Sequence, residues 1–178
     1  MKVICISGKA ESGKDTSALH LKHILEGYNK SVLITHYADL VKFICMKYFD
    51  WNGEKDIAGR QMLQYVGTDV VRAECPSYWA DFIVSVLKFF PTHWDCVIIP
   101  DCRFPNEIDT MRDSGFETYH LRIERPDHSS GLTPEQLLHS SETSLDNVVP
   151  DYIVTNNSDY SDLYTKLLRF TKEVLYEK

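Results

Sequence analysis

The fold is decided by the stretch Gly8-Lys9-Ala10-Glu11-Ser12-Gly13-Lys14-Asp15-Thr16, which directly follows the apolar run Val3-Ile4-Cys5-Ile6. Its spacing, G-x-x-x-x-G-K, is typical of a loop that wraps backbone amides around phosphates while the lysine reaches the β- and γ-phosphates. The motif requires a strand before it and a helix after it. The apolar run predicts the strand, and apolar residues at helical spacing over 14–26 predict the helix. The alternative is a glycine-rich turn with surface lysines.

The composition is that of a globular protein, with 178 residues, 43% hydrophobic and 25% charged. No apolar run reaches 18 residues and no signal peptide is visible, so we expect no membrane partner and a cytoplasmic location, in the host if the source is viral. The net charge of −7 argues against a nucleic-acid polymer as partner. The five cysteines show no metal-ligand spacing and are predicted to be free thiols.

The order of predicted elements favours an α/β fold with three layers, in which helices cover both faces of a mostly parallel sheet of about five strands. We expect one domain over 1–178. The helices between about 39 and 90 are predicted to bind an acceptor, with Asp39 capping the first. The polar stretch of about 124–147 is long for a plain connection and is predicted to be a lid. The predicted strands cover residues 2–7, 31–38, 94–100, 117–123 and 152–155.

An aspartate, Asp15, stands where a serine or threonine hydroxyl usually binds Mg²⁺ after the loop lysine. A carboxylate is a hard oxygen ligand, so Asp15 is predicted to hold Mg²⁺ directly or through water. Thr16 then either binds the metal or contacts a phosphate oxygen. The alternative for Asp15 is a helix cap, because acidic residues are favoured at helix N-termini.

Charged residues cluster after the apolar strand that ends at Pro100. Asp101 would meet the metal or its water shell, and Arg103 and Glu107 add a cation and a second carboxylate. Such a cluster fits phosphoryl transfer, which needs metal positioning and charge neutralisation. The alternative is a plain Arg103–Glu107 ion pair at a helix start.

One helical segment carries Arg60, Gln64 and Arg72, and arginines with an amide suit a phosphate monoester and a base edge. Spacing alone is equally typical of an ordinary surface. Trp79 either stacks on a base or belongs to the core. Arg125, at the start of the polar stretch, is a candidate lid arginine, as is Arg122.

With these residues in place, the chain resembles the phage-type deoxynucleoside monophosphate kinases, relatives of the P-loop nucleoside monophosphate kinases. The likeness rests on four stretches that span nearly the whole chain: Ser7–Thr16, Arg60–Asp69, Ile98–Arg103 with Glu107, and Arg125-Pro126.

The resemblance implies ATP as phosphoryl donor, Mg²⁺, and a deoxynucleoside 5′-monophosphate as acceptor. It places the ATP–Mg²⁺ site at the loop and the acceptor at Arg60, Gln64 and Trp79, with Asp39 fitting only loosely. The loop residues concerned are Gly8, Ser12, Gly13, Lys14, Asp15 and Thr16, and the active-centre residues are Asp101, Arg103, Glu107 and Arg125.

Two other functions stay open at this point. The first is a small-metabolite kinase that resembles phosphomevalonate kinase, which shares the G-K-D variant of the loop. The second is a nucleotide-binding module without catalysis, although the guanine-reading pattern N-K-x-D of GTPase switches is missing. The chain is shorter before the Arg60 helix than some members of the family, so both a monomer and a homodimer are compatible with the sequence.

Overall fold

The computed structural model describes residues 1–126 and 128–176. Five strands form one sheet in the order β2-β3-β1-β4-β5, and every neighbouring pair is parallel. This confirms the predicted α/β class, with a sheet that is parallel throughout. The strands are β1 (Lys2–Ser7), β2 (Val32–Ile34), β3 (Cys96–Ile99), β4 (Glu117–Glu124) and β5 (Tyr152–Thr155).

The central strand β1 is apolar along almost its whole length because helices cover both faces of the sheet. Ile4 and Ile6 face one layer of helices and Cys5 faces the other, and all three are fully buried. The carboxyl ends of β1 and β3 lie side by side, since Cys5 is in register with Ile99. The residues that follow these two strands are therefore brought together at one edge of the sheet.

Eight α-helices and two π-helical segments, Tyr65–Arg72 and Thr171–Tyr176, complete the described structure. The helices α1 and α8 pack on the Ile4 face, and α2, α4 and α5 pack on the Cys5 face. The helices are α1 (Lys14–Gly27), α2 (Ala38–Tyr48), α3 (Ile57–Gln64), α4 (Tyr78–Phe89), α5 (Pro105–Asp113), α6 (Pro134–Leu138), α7 (Ser140–Thr143) and α8 (Tyr160–Phe170). Among the described residues, no helix is long and apolar enough to cross a membrane.

The helical segment predicted to carry Arg60, Gln64 and Arg72 is two elements: α3 continues into a π-helical segment, Tyr65–Arg72. Four β-branched residues and a glycine lie between positions 66 and 71, and such residues lower the stability of a regular α-helix. The Gly67 carbonyl in this segment accepts a hydrogen bond from Trp79 Nε1 at 2.8 Å. The wider turn thus coincides with a contact to α4, and π-helical turns are frequent at functional sites.

The polar stretch of 124–147 contains two short helices that the sequence analysis did not predict. Thr133 and Gln136 form a reciprocal capping box at the start of α6, with Pro134 at its first position. His139 caps α7 by accepting from the Ser141 amide at 3.2 Å. The T-P-x-Q pattern was therefore a helix-start signal within a stretch that composition alone marked as loop.

Candidate active site

The loop between β1 and α1 has the backbone geometry of an anion cradle. Gly8 and Gly13 have positive φ angles of 144° and 99°. A Cβ atom at Gly8 would lie 2.3 Å from the Ile123 carbonyl, and one at Gly13 would lie 2.5 Å from Asn156 Nδ2. Only glycine fits at both points. The buried Ser12 Oγ has no hydrogen-bond partner in the described structure, so a polar group inside the loop is left to bind a ligand.

Lys14 begins α1, and its ammonium folds back over the loop. Its Nζ donates to the carbonyls of Gly8 at 2.7 Å and Lys9 at 2.8 Å. Burial, with a smaller contribution from the Arg103 cation, lowers the pKa of Lys14 to about 8. The predicted phosphate-binding lysine therefore lies inside the cradle, in a site where solvent screening is weak.

A cleft of ≈ 610 Å³ opens beside the loop, under α2, α3 and the π-helical segment. It has the size of a small-molecule site. Its wall combines cations with an apolar floor that includes Val41, Leu63 and Trp79. The sequence-predicted residues that line it are Lys14, Asp15, Arg60, Gln64, Arg72, Trp79, Asp101, Arg103 and Glu107.

A second cavity of ≈ 400 Å³ lies on the other side of the first turn of α1. Thr16 and Arg125 line it, together with Asn156 and Tyr160 from the segment after β5. Asn156 Nδ2 donates to the Ser12 carbonyl at 2.9 Å and so ties this segment to the loop. Lys14 and Asp15, with Glu11, line both this cavity and the cleft, so they form the boundary between two adjoining spaces.

Asp101 has a structural role that the sequence analysis did not predict. Its carboxylate accepts the amides of Tyr37 at 3.0 Å and Ala38 at 2.9 Å, and these residues begin α2. The expectation that Asp39 caps α2 is wrong, because the helix starts at Ala38 and Asp39 bonds the His36 amide and Lys42 instead. Asp39 is also absent from the described residues that line the cleft.

Glu107 pairs with Arg72, and not with Arg103 as the alternative interpretation had it. Arg72 Nη1 donates to Glu107 Oε1 at 3.2 Å, and the two side chains are only 9% and 4% exposed. Glu107 Oε2 accepts the amides of Arg103 at 2.7 Å and Phe104 at 3.1 Å. Burial raises the pKa of Glu107 to about 7. Glu107 therefore shapes the turn that carries Arg103, at the wall of the cleft.

The Arg103 guanidinium turns toward the polar stretch of 124–147. It donates to the Ser141 carbonyl at 3.0 Å and to the Glu142 carboxylate. Burial opposes the charge of Arg103, but the neighbouring carboxylates, Glu142 first, outweigh burial and raise its pKa. A fixed cation thus stands at the edge of the cleft.

Asp15 fits the chemistry of a magnesium ligand. Its side chain is 82% exposed at the start of α1 and accepts a hydrogen bond from His36 Nε2 at 3.2 Å, which lowers its pKa. The described residues contain no cluster of three or more His, Cys, Asp or Glu side chains that could hold an ion. Mg²⁺ in nucleotide sites is held by one or two carboxylates with phosphates and waters, so one carboxylate suffices.

Several residues at the site were not singled out by the sequence analysis. His36 follows β2, and it lines the cleft together with the cations Lys42 and Lys55. His36 was missed because the strand was predicted to run over 31–38, whereas β2 ends at Ile34 and His36 follows it. The two lysines carried no signal, because isolated lysines in polar or helical segments are typical of any surface.

Comparison with known proteins places the chain in a family. The model of the family described as deoxynucleotide monophosphate kinase matches residues 19–167. A putative deoxynucleotide monophosphate kinase of Acanthamoeba polyphaga mimivirus is 29% identical, with 94% of this chain and 95% of that protein covered. The deoxynucleotide monophosphate kinase of Enterobacteria phage T4 is 30% identical over 65% of this chain, and the match covers 46% of the phage protein.

Solved structures agree in fold. The APS kinase of Mycobacterium tuberculosis in complex with AMPPNP and APS has a TM-score of 0.55 at 11% identity, over 97% of this chain and 98% of that one. Shikimate kinase from Aquifex aeolicus has a TM-score of 0.53 at 15% identity over all of both chains. At such identities the likeness shows the fold alone. The family match covers 149 of the 178 residues, which shows that the chain belongs to the deoxynucleotide monophosphate kinase family.

Proposed function

We propose that the protein transfers the γ-phosphoryl group of ATP to the 5′-phosphate of a deoxynucleoside monophosphate, giving the diphosphate and ADP. One observation carries the proposal: Lys14 and Asp15 line both the 400 Å³ cavity and the 610 Å³ cleft. A donor in the first space and an acceptor in the second would meet at these two side chains. The family assignment supports the same activity.

The donor side is proposed from the loop outward. The triphosphate would lie along the Gly8–Gly13 backbone, where Ser12 Oγ is available as a hydrogen-bonding group. Thr16 and Arg125 face the cavity that would hold the nucleoside end and the flanking phosphates. Asp15 would hold Mg²⁺, which when bound supplies charge neutralisation to the transferring phosphates.

The acceptor side is proposed from the residues of the cleft. Arg60, held by a hydrogen bond of 3.1 Å from its Nε to the Lys55 carbonyl, would contact the acceptor phosphate. Gln64 would bond a base edge against the apolar wall that includes Trp79. Trp79 is 3% exposed with its Nε1 bonded, so it would offer a rigid surface. The region of 39–90 thus serves as the acceptor-binding part of a domain over 1–178.

For this phosphoryl transfer, the main task of the protein is to align the donor and the acceptor. The acceptor phosphate oxygen is ionised near neutral pH, so it can attack the γ-phosphorus in line without a strong general base. Lys14, Arg103 and Arg125 would stabilise the charge that develops on the transferring group. The segment of 124–147 would act as the lid that excludes water and prevents hydrolysis of ATP.

A coupled assay of ADP release tests the proposal. The acceptors are dTMP, dGMP, dCMP, dAMP, their ribonucleotide forms and phosphomevalonate. We expect turnover with at least one deoxynucleotide. Turnover with phosphomevalonate alone would instead assign a small-metabolite kinase, and ATP binding without turnover on any acceptor would assign a binding module.

A further inference from the structure

The lid carries a carboxylate that joins three parts of the site. Glu142, on α7, has a side chain that is only 6% exposed. Its Oε1 accepts from Arg103 Nη1, and its Oε2 accepts from the Ala10 amide at 3.1 Å. Ala10 belongs to the phosphate-binding loop, and Arg103 follows β3. One side chain therefore connects the lid, the loop and the cation at the end of the neighbouring strand.

The same short segment is fastened to the loop at a second point. Lys9 Nζ donates to the Glu142 carbonyl at 2.6 Å and to the Asp146 carboxylate at 2.6 and 2.7 Å. The Ser141 carbonyl accepts a further bond from Arg103. Because the backbone of the Glu142 segment is bonded to Lys9 and to Arg103, the Glu142 carboxylate is held in one position.

The charges at the site explain why a carboxylate is useful there. Lys14 and Arg103 are close enough that the Arg103 cation lowers the pKa of Lys14, second to burial, whereas Glu142 acts in the opposite direction. Two cations that converge on one phosphoryl group repel each other. A negatively charged carboxylate between the loop and Arg103 offsets that repulsion. A carboxylate in this position keeps both cations charged and in place.

Resting on the proposed function, we propose that Glu142 is a positioning residue for phosphoryl transfer: it holds the Arg103 guanidinium and the Ala10 end of the loop in the arrangement that the reaction needs. The competing idea is that the carboxylate occupies the place of a phosphate and blocks the loop. Within the described structure, the Glu142 carboxylate accepts the Ala10 amide but does not bond the Lys14 ammonium, which donates to the Gly8 and Lys9 carbonyls instead. A group that took the place of a transferring phosphate would contact that ammonium. The contacts therefore favour positioning.

The experiment compares Glu142→Ala, Glu142→Gln, Arg103→Ala and the double variant Arg103→Ala/Glu142→Ala in the full chain. A misplaced catalytic cation costs about 10²-fold in rate, so Glu142→Ala should lower kcat by about that factor and change the acceptor KM little. The double variant should be no slower than Arg103→Ala. Glu142→Gln keeps an uncharged hydrogen-bond acceptor, and its kcat should lie between the kcat of Glu142→Ala and that of the parent. The control is Glu135→Gln, a lid carboxylate outside the cleft lining, which should match the parent.

Three results would overturn the inference: an unchanged kcat in Glu142→Ala, a raised kcat or tighter ATP binding, as expected for a block, or losses that multiply in the double variant. Thermal melting checks the fold, and if Glu142→Ala is unfolded, Glu142→Gln alone decides by the same kcat criterion. A parent enzyme that turns over no acceptor would refute the proposed function instead, so the two failures are distinguishable.

Discussion

The change Arg72→Met tests whether the buried Arg72–Glu107 pair supports the wall of the cleft. The two side chains are joined by a bond of 3.2 Å, and the Arg72 guanidinium lies 3.7 Å from the centre of the Phe104 ring. Methionine is an unbranched apolar replacement that removes the cation over the ring, together with the bond of 2.6 Å from Arg72 Nη2 to Asn106 Oδ1. Glu107 would then retain two donors, the amides of Arg103 and Phe104.

The expected loss follows from the burial of Glu107. Removing one partner of a buried ion pair costs about 3–5 kcal/mol, and the two remaining amides place this case at the lower end, about 3 kcal/mol at pH 8. Burial raises the pKa of Glu107 to about 7 with Arg72 present, and removal of the cation raises it further. In the parent, the stabilising effect of a neutral Glu107 is present at low pH and is lost as the pH rises to about 7.

In Arg72→Met the loss of stability continues to a higher pH, because Glu107 in the folded variant stays protonated up to a higher pH than Glu107 in the unfolded chain. The unfolding free energies of parent and variant should therefore diverge above pH 7, by about 1.4 kcal/mol per pH unit. Urea unfolding at pH 6 and pH 8 measures this difference. The control is the same change in a Glu107→Gln background, where the pH dependence should vanish. An equal loss at both pH values in the parent background would refute the reasoning.

Three further changes separate catalysis, acceptor binding and stability. Lys14→Ala should lower kcat by at least about 10²-fold with an unchanged melting temperature, and a retained rate in the ADP-release assay would contradict the loop assignment. Arg60→Ala should raise the acceptor KM by about 10-fold, as for a lost charge-assisted hydrogen bond, and an effect confined to the ATP KM would place Arg60 elsewhere. His120 is 1% exposed, and burial lowers its pKa to about 4. The parent should therefore lose up to about 3 kcal/mol of unfolding free energy between pH 6.5 and 4 that His120→Asn does not lose, and parallel curves would contradict this.

Much of the fold was predictable because its signals are local. The loop between β1 and α1, the fully apolar β3 and the strand β5 each depend on a few neighbouring residues, and all three were located correctly. The two short helices in the polar stretch of 124–147 were missed, although a capping box marked the first of them. The π-helical segment was missed because the spacing of apolar residues hardly differs between α- and π-helical turns.

The sequence predicted which residues would lie near one another at the candidate site, but not which of them would bond to each other. The spacing of G-x-x-x-x-G-K and the strand-end position of Asp101 placed these residues at one edge of the sheet, since the carboxyl ends of parallel strands share that edge. The partners of those residues could not be predicted. Asp101 binds the start of α2, and Arg103 bonds to Glu142, 39 positions away.

The amino-acid sequence by itself determined the phosphate-binding loop, the α/β class and the motifs that mark the family, because each motif and each strand depends on residues that are close together in the chain. The tertiary structure alone decided which carboxylate faces which cation, and that Lys14 and Asp15 border two cavities. Such pairings depend on distances of a few ångströms between segments far apart in sequence. Electrostatic interactions in a partly buried site change steeply over those distances, so spacing along the chain carries no information about them.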